Sequence, residues 1–194
     1  MKTHHRLFLL IVTSLLGVNL ASANQQQVSG VNASASDTRV YYLVRHAEKR
    51  KDGSKNPHLT QQGQQRANNL AQQLLLAGIT HIYSTDYHRT QQTAKPLADL
   101  LGLEVQTYNP SNLQELAARL KAQVNTKSKT QAALIVGHSN TTPQLTSLLS
   151  GQAVPDMDES EYTNLYQVVI INGKAVVNRL STPPFNAKTA LTEQ

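Results

Sequence analysis

The sequence predicts an α/β fold: a three-layer sandwich with a largely parallel central sheet, helices on both faces and a C-terminal antiparallel hairpin. Three observations carry this reading. Val40 to Val44 and Ala132 to Val136 are short apolar runs rich in β-forming residues, the signature of strands covered on both faces. Amphipathic helical segments alternate with such runs, as βαβ units require. Asn172-Gly173 separates two further strand-like runs, Leu165 to Ile171 and Lys174 to Leu180, which is a strong hairpin signal.

The elements follow in order from about Arg39. The first strand ends on Val44, with Arg45 and His46 at its carboxyl end. Ala67, Leu70, Ala71, Leu74 and Leu75 then recur at helical spacing, with Thr60 as N-cap and Gly78 as terminator. His81 to Ser84 reads as a short strand. The next helix carries Thr90, Ala94, Leu97, Ala98 and Leu101 on one face and closes at Gly102, and Pro96 within it predicts a kink or a break. Glu104 to Tyr108 reads as a strand. Leu113, Leu116, Ala117, Leu120 and Val124 describe a helix opened by a capping box, Ser111-x-x-Gln114. Lys127-Ser128-Lys129 is a polar connector before the strand at 132–136, after which Thr142-Pro143 opens a helix with proline at its first position.

The amino-terminal region reads differently. Lys2, His4, His5 and Arg6 precede the apolar run Leu7 to Leu16, and Ala21-Ser22-Ala23 has the A-x-A pattern, so residues 1–23 are read as a signal peptide cleaved after Ala23. The apolar stretch is short of the roughly 20 residues of a membrane span, and no stable membrane anchor is expected after cleavage. Residues 24–38 are polar and aperiodic, a flexible linker; 39–181 form one domain, and 182–194 a polar tail. The chain has no cysteine, which removes disulfides, thiol chemistry and lipid attachment. A soluble periplasmic protein is expected, with secretion as the alternative. Loss of Lys2 and Arg6 with residues 1–23 would lower the formal charge by two, from +6 to +4. That excess suits anionic esters. The basic residues are scattered without a nucleic-acid-binding motif, so nucleic acid is not an expected partner. The oligomeric state is open.

In open α/β sheets ligands gather beyond the carboxyl ends of the strands. That rule brings Arg45-His46, the loop Ser84 to Arg89, and Gly137-His138 to one rim. Two imidazoles and two guanidiniums then converge, and the planar fork of arginine matches phosphate oxygens. His58, His81 and His88 show no ligand spacing, so no metal site and no cofactor are expected.

These motifs resemble a known family. Arg45-His46-Ala47-Glu48 is similar to the R-H-G/A-E signature of the histidine phosphatase superfamily, the phosphoglycerate mutase-like proteins. Leu59-Thr60-x-x-Gly63 resembles that family's L-T-x-x-G helix start. Ser84-Thr85-Asp86-Tyr87-His88-Arg89-Thr90-Gln91-Gln92-Thr93-Ala94 resembles its S-S-D-x-x-R-A-x-x-T-A segment, and Gly137-His138 its second histidine. The resemblance implies that His46 attacks phosphorus in line and forms a phosphohistidine. Arg45 and Arg89 hold the equatorial oxygens, and His138, if protonated, adds a further donor. Thr93 packs near Arg89, while Ser139 and Asn140 shape the pocket without chemistry.

The family's proton donor is a carboxylic acid in a loop after the second arginine. Glu115 lies in that region, although an acid in a helix's first turn is also favoured by the dipole. Asp86 is the second candidate. Glu48 and Lys49 are read as a solvated ion pair, and the acidic loop Asp156 to Glu161 as a solvated rim or a discriminator among substrates. The R-H-G-x-R-x-P form of the phytase branch is missing, as is the insertion that mutases carry between Arg89 and His138. The expected function is hydrolysis of a small or envelope-attached phosphate ester. The alternatives are a protein-phosphohistidine phosphatase and a non-catalytic phosphate-binding module.

Overall fold

The protein is described here from a computed structural model over residues 38–122 and 130–182. The proposed signal peptide, the linker except Thr38, the carboxyl-terminal tail except Thr182, the connector at 127–129 and Val124 lie outside the described residues. Strand β1 (Thr38–Arg45) is followed by α1 (Gln61–Leu74), β2 (Ile79–Thr85), α2 (His88–Leu101), β3 (Val105–Tyr108), α3 (Leu113–Ala122), β4 (Thr130–Gly137), α4 (Thr141–Ser150), β5 (Asn164–Ile171) and β6 (Lys174–Ser181). The strands form one six-stranded sheet in the order β3-β2-β4-β1-β5-β6. Pairings are parallel from β3 to β1 and antiparallel through β5 and β6.

Alternation along the strands explains why both faces carry helices. Tyr41, Leu43, Tyr83, Ala133, Ile135, Tyr166, Val168 and Ile170 pack with Leu113, Leu116, Leu120, Leu145 and Leu149, so α3 and α4 cover one face. Val44, Ile82, Ala132, Leu134, Val136 and Leu165 pack with Leu70, Leu74, Ala94 and Leu97, so α1 and α2 cover the other. Successive strand side chains point to opposite faces, and here each face finds an apolar partner.

Several local expectations change. Helix α1 stops at Leu74, and Gly78 (φ 69°) serves the following turn rather than the helix end. Helix α2 runs unbroken through Pro96 and ends at Gly102 in the left-handed conformation. Asn112, not Ser111, immediately precedes α3; its side chain donates to Glu115 (2.9 Å), and Ser111 instead donates its N–H to Asn109 in an Asx turn. Helix α4 begins at Thr141, which puts Pro143 third, still within the turn that needs no intrahelical N–H partner.

The start of α1 is pressed against the chain after His46. Thr60 caps the helix by accepting from Gly63 N–H (3.0 Å), and its own N–H donates to Glu48 O (2.9 Å). A Cβ on Gly63 would lie 2.2 Å from that same carbonyl oxygen. Only glycine allows this approach without moving backbone. Gly63→Ala is expected to lower stability by about 2 kcal/mol, as overpacking against backbone does, seen as a lower urea midpoint at unchanged m. A midpoint equal to that of the unaltered protein would contradict the contact.

Candidate active site

The β1–β4 register pairs Arg45 with Gly137, and His46 N–H donates to Gly137 O (3.0 Å). The next residues on the two strands, His46 and His138, are therefore neighbours, with ring centroids 5.7 Å apart. Strand β2 lies on the other side of β4 and delivers Thr85, and α2 begins just beyond it with Arg89 in its first turn. Arg45, His46, Arg89 and His138 thus meet at one rim.

His46 is buried, and its Nδ1 lies 2.7 Å from Ala47 O. A carbonyl only accepts, so Nδ1 carries the hydrogen and Nε2 keeps its lone pair. Burial, then the charges of Arg45, Arg89 and His138, push the His46 pKa down to about 3, against the opposing hydrogen bond to Ala47. The ring is neutral at pH 7, as a nucleophile requires. His138 Nε2 lies 3.0 Å from Thr85 Oγ1 and its Nδ1 3.4 Å from Arg89 Nη2. Arginine only donates, which makes Nδ1 the acceptor and Nε2 the donor. Burial and then Arg89, Arg45 and Lys49 lower the His138 pKa to about 4, with Glu159 opposing. A protonated His138 is therefore disfavoured in the free protein, and an arriving phosphate dianion would supply the charge that favours it.

The two guanidiniums differ in their engagement. Arg89 lies over the Tyr87 ring (4.4 Å) and leaves Nε and Nη1 buried without hydrogen-bond partners. Arg45 donates from Nη1 to the carbonyls of Asp158, Glu159 and Glu161 (3.2, 2.7 and 3.1 Å) and from Nη2 to Glu159 Oε2 (2.9 Å), above the Tyr162 ring (4.2 Å). Its Nε is buried and unpartnered. Three orphan cationic donors beside a lone-pair nitrogen make a receptor for a tetrahedral oxyanion.

Other residues depart from expectation. Glu48 does not pair with Lys49: Arg66 grips it, Nη2 to Oε1 at 2.6 Å and Nε to Oε2 at 2.9 Å, with both side chains largely buried. The acidic loop is more than a solvated rim, because Arg45 binds its backbone and Ser139 Oγ donates to Glu159 Oε1. Glu115 is exposed and bonded to Asn112, and Asp86 is exposed beside β2; no contact brings either to the histidines. Thr93 accepts from Ala47 N–H (3.0 Å) and donates to Arg89 O (2.7 Å), joining the two arginine-bearing segments. Ser139 is buried and holds Glu159, whereas Asn140 is exposed at the start of α4. Gln92 links the 50–59 loop to α2 through Leu59 N–H (2.8 Å) and His58. His58 stacks on His88, and among the described residues no group of three or more His, Cys, Asp or Glu is placed to hold a metal ion. Tyr87, Tyr162, Thr85 and Glu159 carry no sequence signal of their own beyond nearness to a motif.

Residues 41–119 match the family model for the histidine phosphatase superfamily (branch 1). The matched segment is less than half of the chain. A probable phosphoglycerate mutase GpmB of Enterobacter sp. (strain 638) is 43% identical over 70 residues, 33% of this chain and 33% of the relative. The match thus spans about a third of that relative's length. Among solved structures, the protein histidine phosphatase SixA complexed with tungstate superposes with a TM-score of 0.61 at 19% identity, covering 74% of this chain and 97% of SixA. A putative alpha-ribazole-5'-P phosphatase from Escherichia coli str. K-12 substr. MG1655 gives 0.57 at 16% identity, covering 77% and 98%. At those identities the likeness is one of fold.

Both histidines are held neutral well below the ordinary value of 6.5, so the unfolded chain binds more protons as pH falls. Their contribution to stability is complete above pH 6.5 and is lost between there and about pH 3 to 4. For buried His46 the fall approaches about 1.4 kcal/mol per pH unit. Urea unfolding at pH 7.5 and pH 5 is expected to show a smaller loss in His46→Gln than in the unaltered protein; equal losses would mean that His46 is not held neutral.

Proposed function

We propose that this protein hydrolyses phosphate monoesters through a phosphohistidine on His46, using its own side chains and no metal. The observation that carries the reading is the cluster of unpartnered buried donors, Arg45 Nε with Arg89 Nε and Nη1, around a His46 ring whose Nε2 keeps its lone pair. The donors neutralise the equatorial oxygens, and the lone pair attacks phosphorus in line with the leaving group. His138, fixed by Thr85 and Arg89, then serves as the imidazole that gains a proton as negative charge accumulates. Among the described residues only β3 and α3 stand between α2 and β4, with no larger insertion there to retain the displaced alcohol, which favours water over re-transfer.

The substrate we propose is a small or envelope-attached phosphorylated compound met outside the cytoplasm. The signal-peptide pattern of residues 1–23 supports that location. Appearance of a chain starting at Asn24 in an osmotic-shock fraction is the expected result; a full-length chain retained in the cytosol would remove this part of the proposal.

For the chemistry, p-nitrophenyl phosphate is offered to the purified protein with chelator present. The unaltered protein is expected to turn over and His46→Ala to lose at least about 1,000-fold in kcat/KM, while Arg89→Ala loses about 100-fold or more as an electrostatic donor is removed. Equal rates in His46→Ala and the unaltered protein would defeat the phosphohistidine route. Absence of turnover together with phosphate binding that requires Arg45 and Arg89 would defeat hydrolysis itself.

A further inference from the structure

We propose that Glu159 is the proton donor to the leaving group and the base that then activates water. This rests on the phosphohistidine reading above. Glu159 belongs to the segment that antiparallel β5 brings back over the carboxyl end of β1, where Leu165 pairs with Val44. Its carboxylate touches the site directly, with Oε2 on Arg45 Nη2 and Oε1 on Ser139 Oγ.

The same side chain lines a groove of about 860 Å³ together with Lys49, Lys51, Gln62 and Tyr162, and the Tyr162 ring lies 6.2 Å from that of His46. A leaving group displaced in line from His46 needs such a channel. Three carboxylates border it, and two are committed elsewhere. Glu48 is held at both oxygens by buried Arg66. Asp158 is tied to the N–H and hydroxyl of Ser160. Glu159 is three-quarters exposed and bound to Ser139 and to Arg45, the residue whose Nε is left for phosphate.

In the free protein the hydrogen bond from Ser139, with Arg45 and Lys49 nearby, holds this carboxyl below its ordinary value despite partial burial, so it is ionised. A phosphate dianion competes for Arg45 and adds negative charge beside it. Both effects favour protonation of Glu159 at the moment substrate binds. The steps balance. The His46 Nε2 lone pair forms the N–P bond as the ester P–O bond breaks, and the departing oxygen takes the proton from Glu159. Water then attacks phosphorus, its proton passes to the Glu159 carboxylate, and the N–P electron pair returns to His46.

The test compares Glu159→Gln with the unaltered protein on p-nitrophenyl phosphate and on glycerol phosphate, reading kcat/KM, which reports the step in which the leaving group departs. The loss on the alkyl ester is expected to exceed that on the aryl ester by on the order of 100-fold, because only the poor leaving group needs a proton. Equal losses on both esters would reduce Glu159 to a holder of Arg45, and no loss on either would remove it from the reaction; both overturn the assignment. His46→Ala run alongside separates the two readings, since turnover that survives it defeats the phosphohistidine route rather than the role of Glu159.

Discussion

The parallel pairing of β1 with β4 is the constraint on which the site depends. Its register opposes Arg45 and Gly137, and one further residue on each strand gives His46 and His138. The backbone bond from His46 N–H to Gly137 O locks that step. A slip of one residue would turn every side chain of β1 to the other face, exchanging Leu43 and Val44 between the two cores. The apolar contents of those cores therefore hold the two imidazoles in place.

Burial around the histidines then sets their chemistry. Four positively charged or ionisable rings and forks share a small space, and the cheapest charge state leaves both imidazoles neutral and both guanidiniums charged. Arg45 reconciles burial with charge by spending its Nη donors on the 158–161 segment and stacking on Tyr162, which leaves Nε for an anion. One side chain thereby belongs both to the rim beside His46 and to the 158–161 loop.

A second layer secures the first. Gly63 allows α1 to press on the Glu48 carbonyl, Arg66 one turn later clamps the Glu48 carboxylate, and Thr93 ties Ala47 to the Arg89 turn. The glycine and threonine of the two longer motifs have a physical reason here: they hold the loop after His46 against α1 and α2. Removing one partner of so buried an ion pair would leave an uncompensated charge.

The alternation of strands and helices, the carboxyl-end position of His46 and the convergence of Arg45, Arg89 and His138 are legible along the chain. Those features are local: periodicity, a turn signal and the residue after each strand. Helix ends were less legible, because Ser111 and Asn112 compete for one cap and Gly78 for one turn, and packing chose between them. The tertiary structure alone decided the partner of Glu48, the tautomers of the histidines and the entry of Glu159 into the site. Glu159 stands 114 residues from Arg45, and only the antiparallel return of β5 beside β1 brings them together. An aperiodic acidic loop carries no record of the strand beside which it will end.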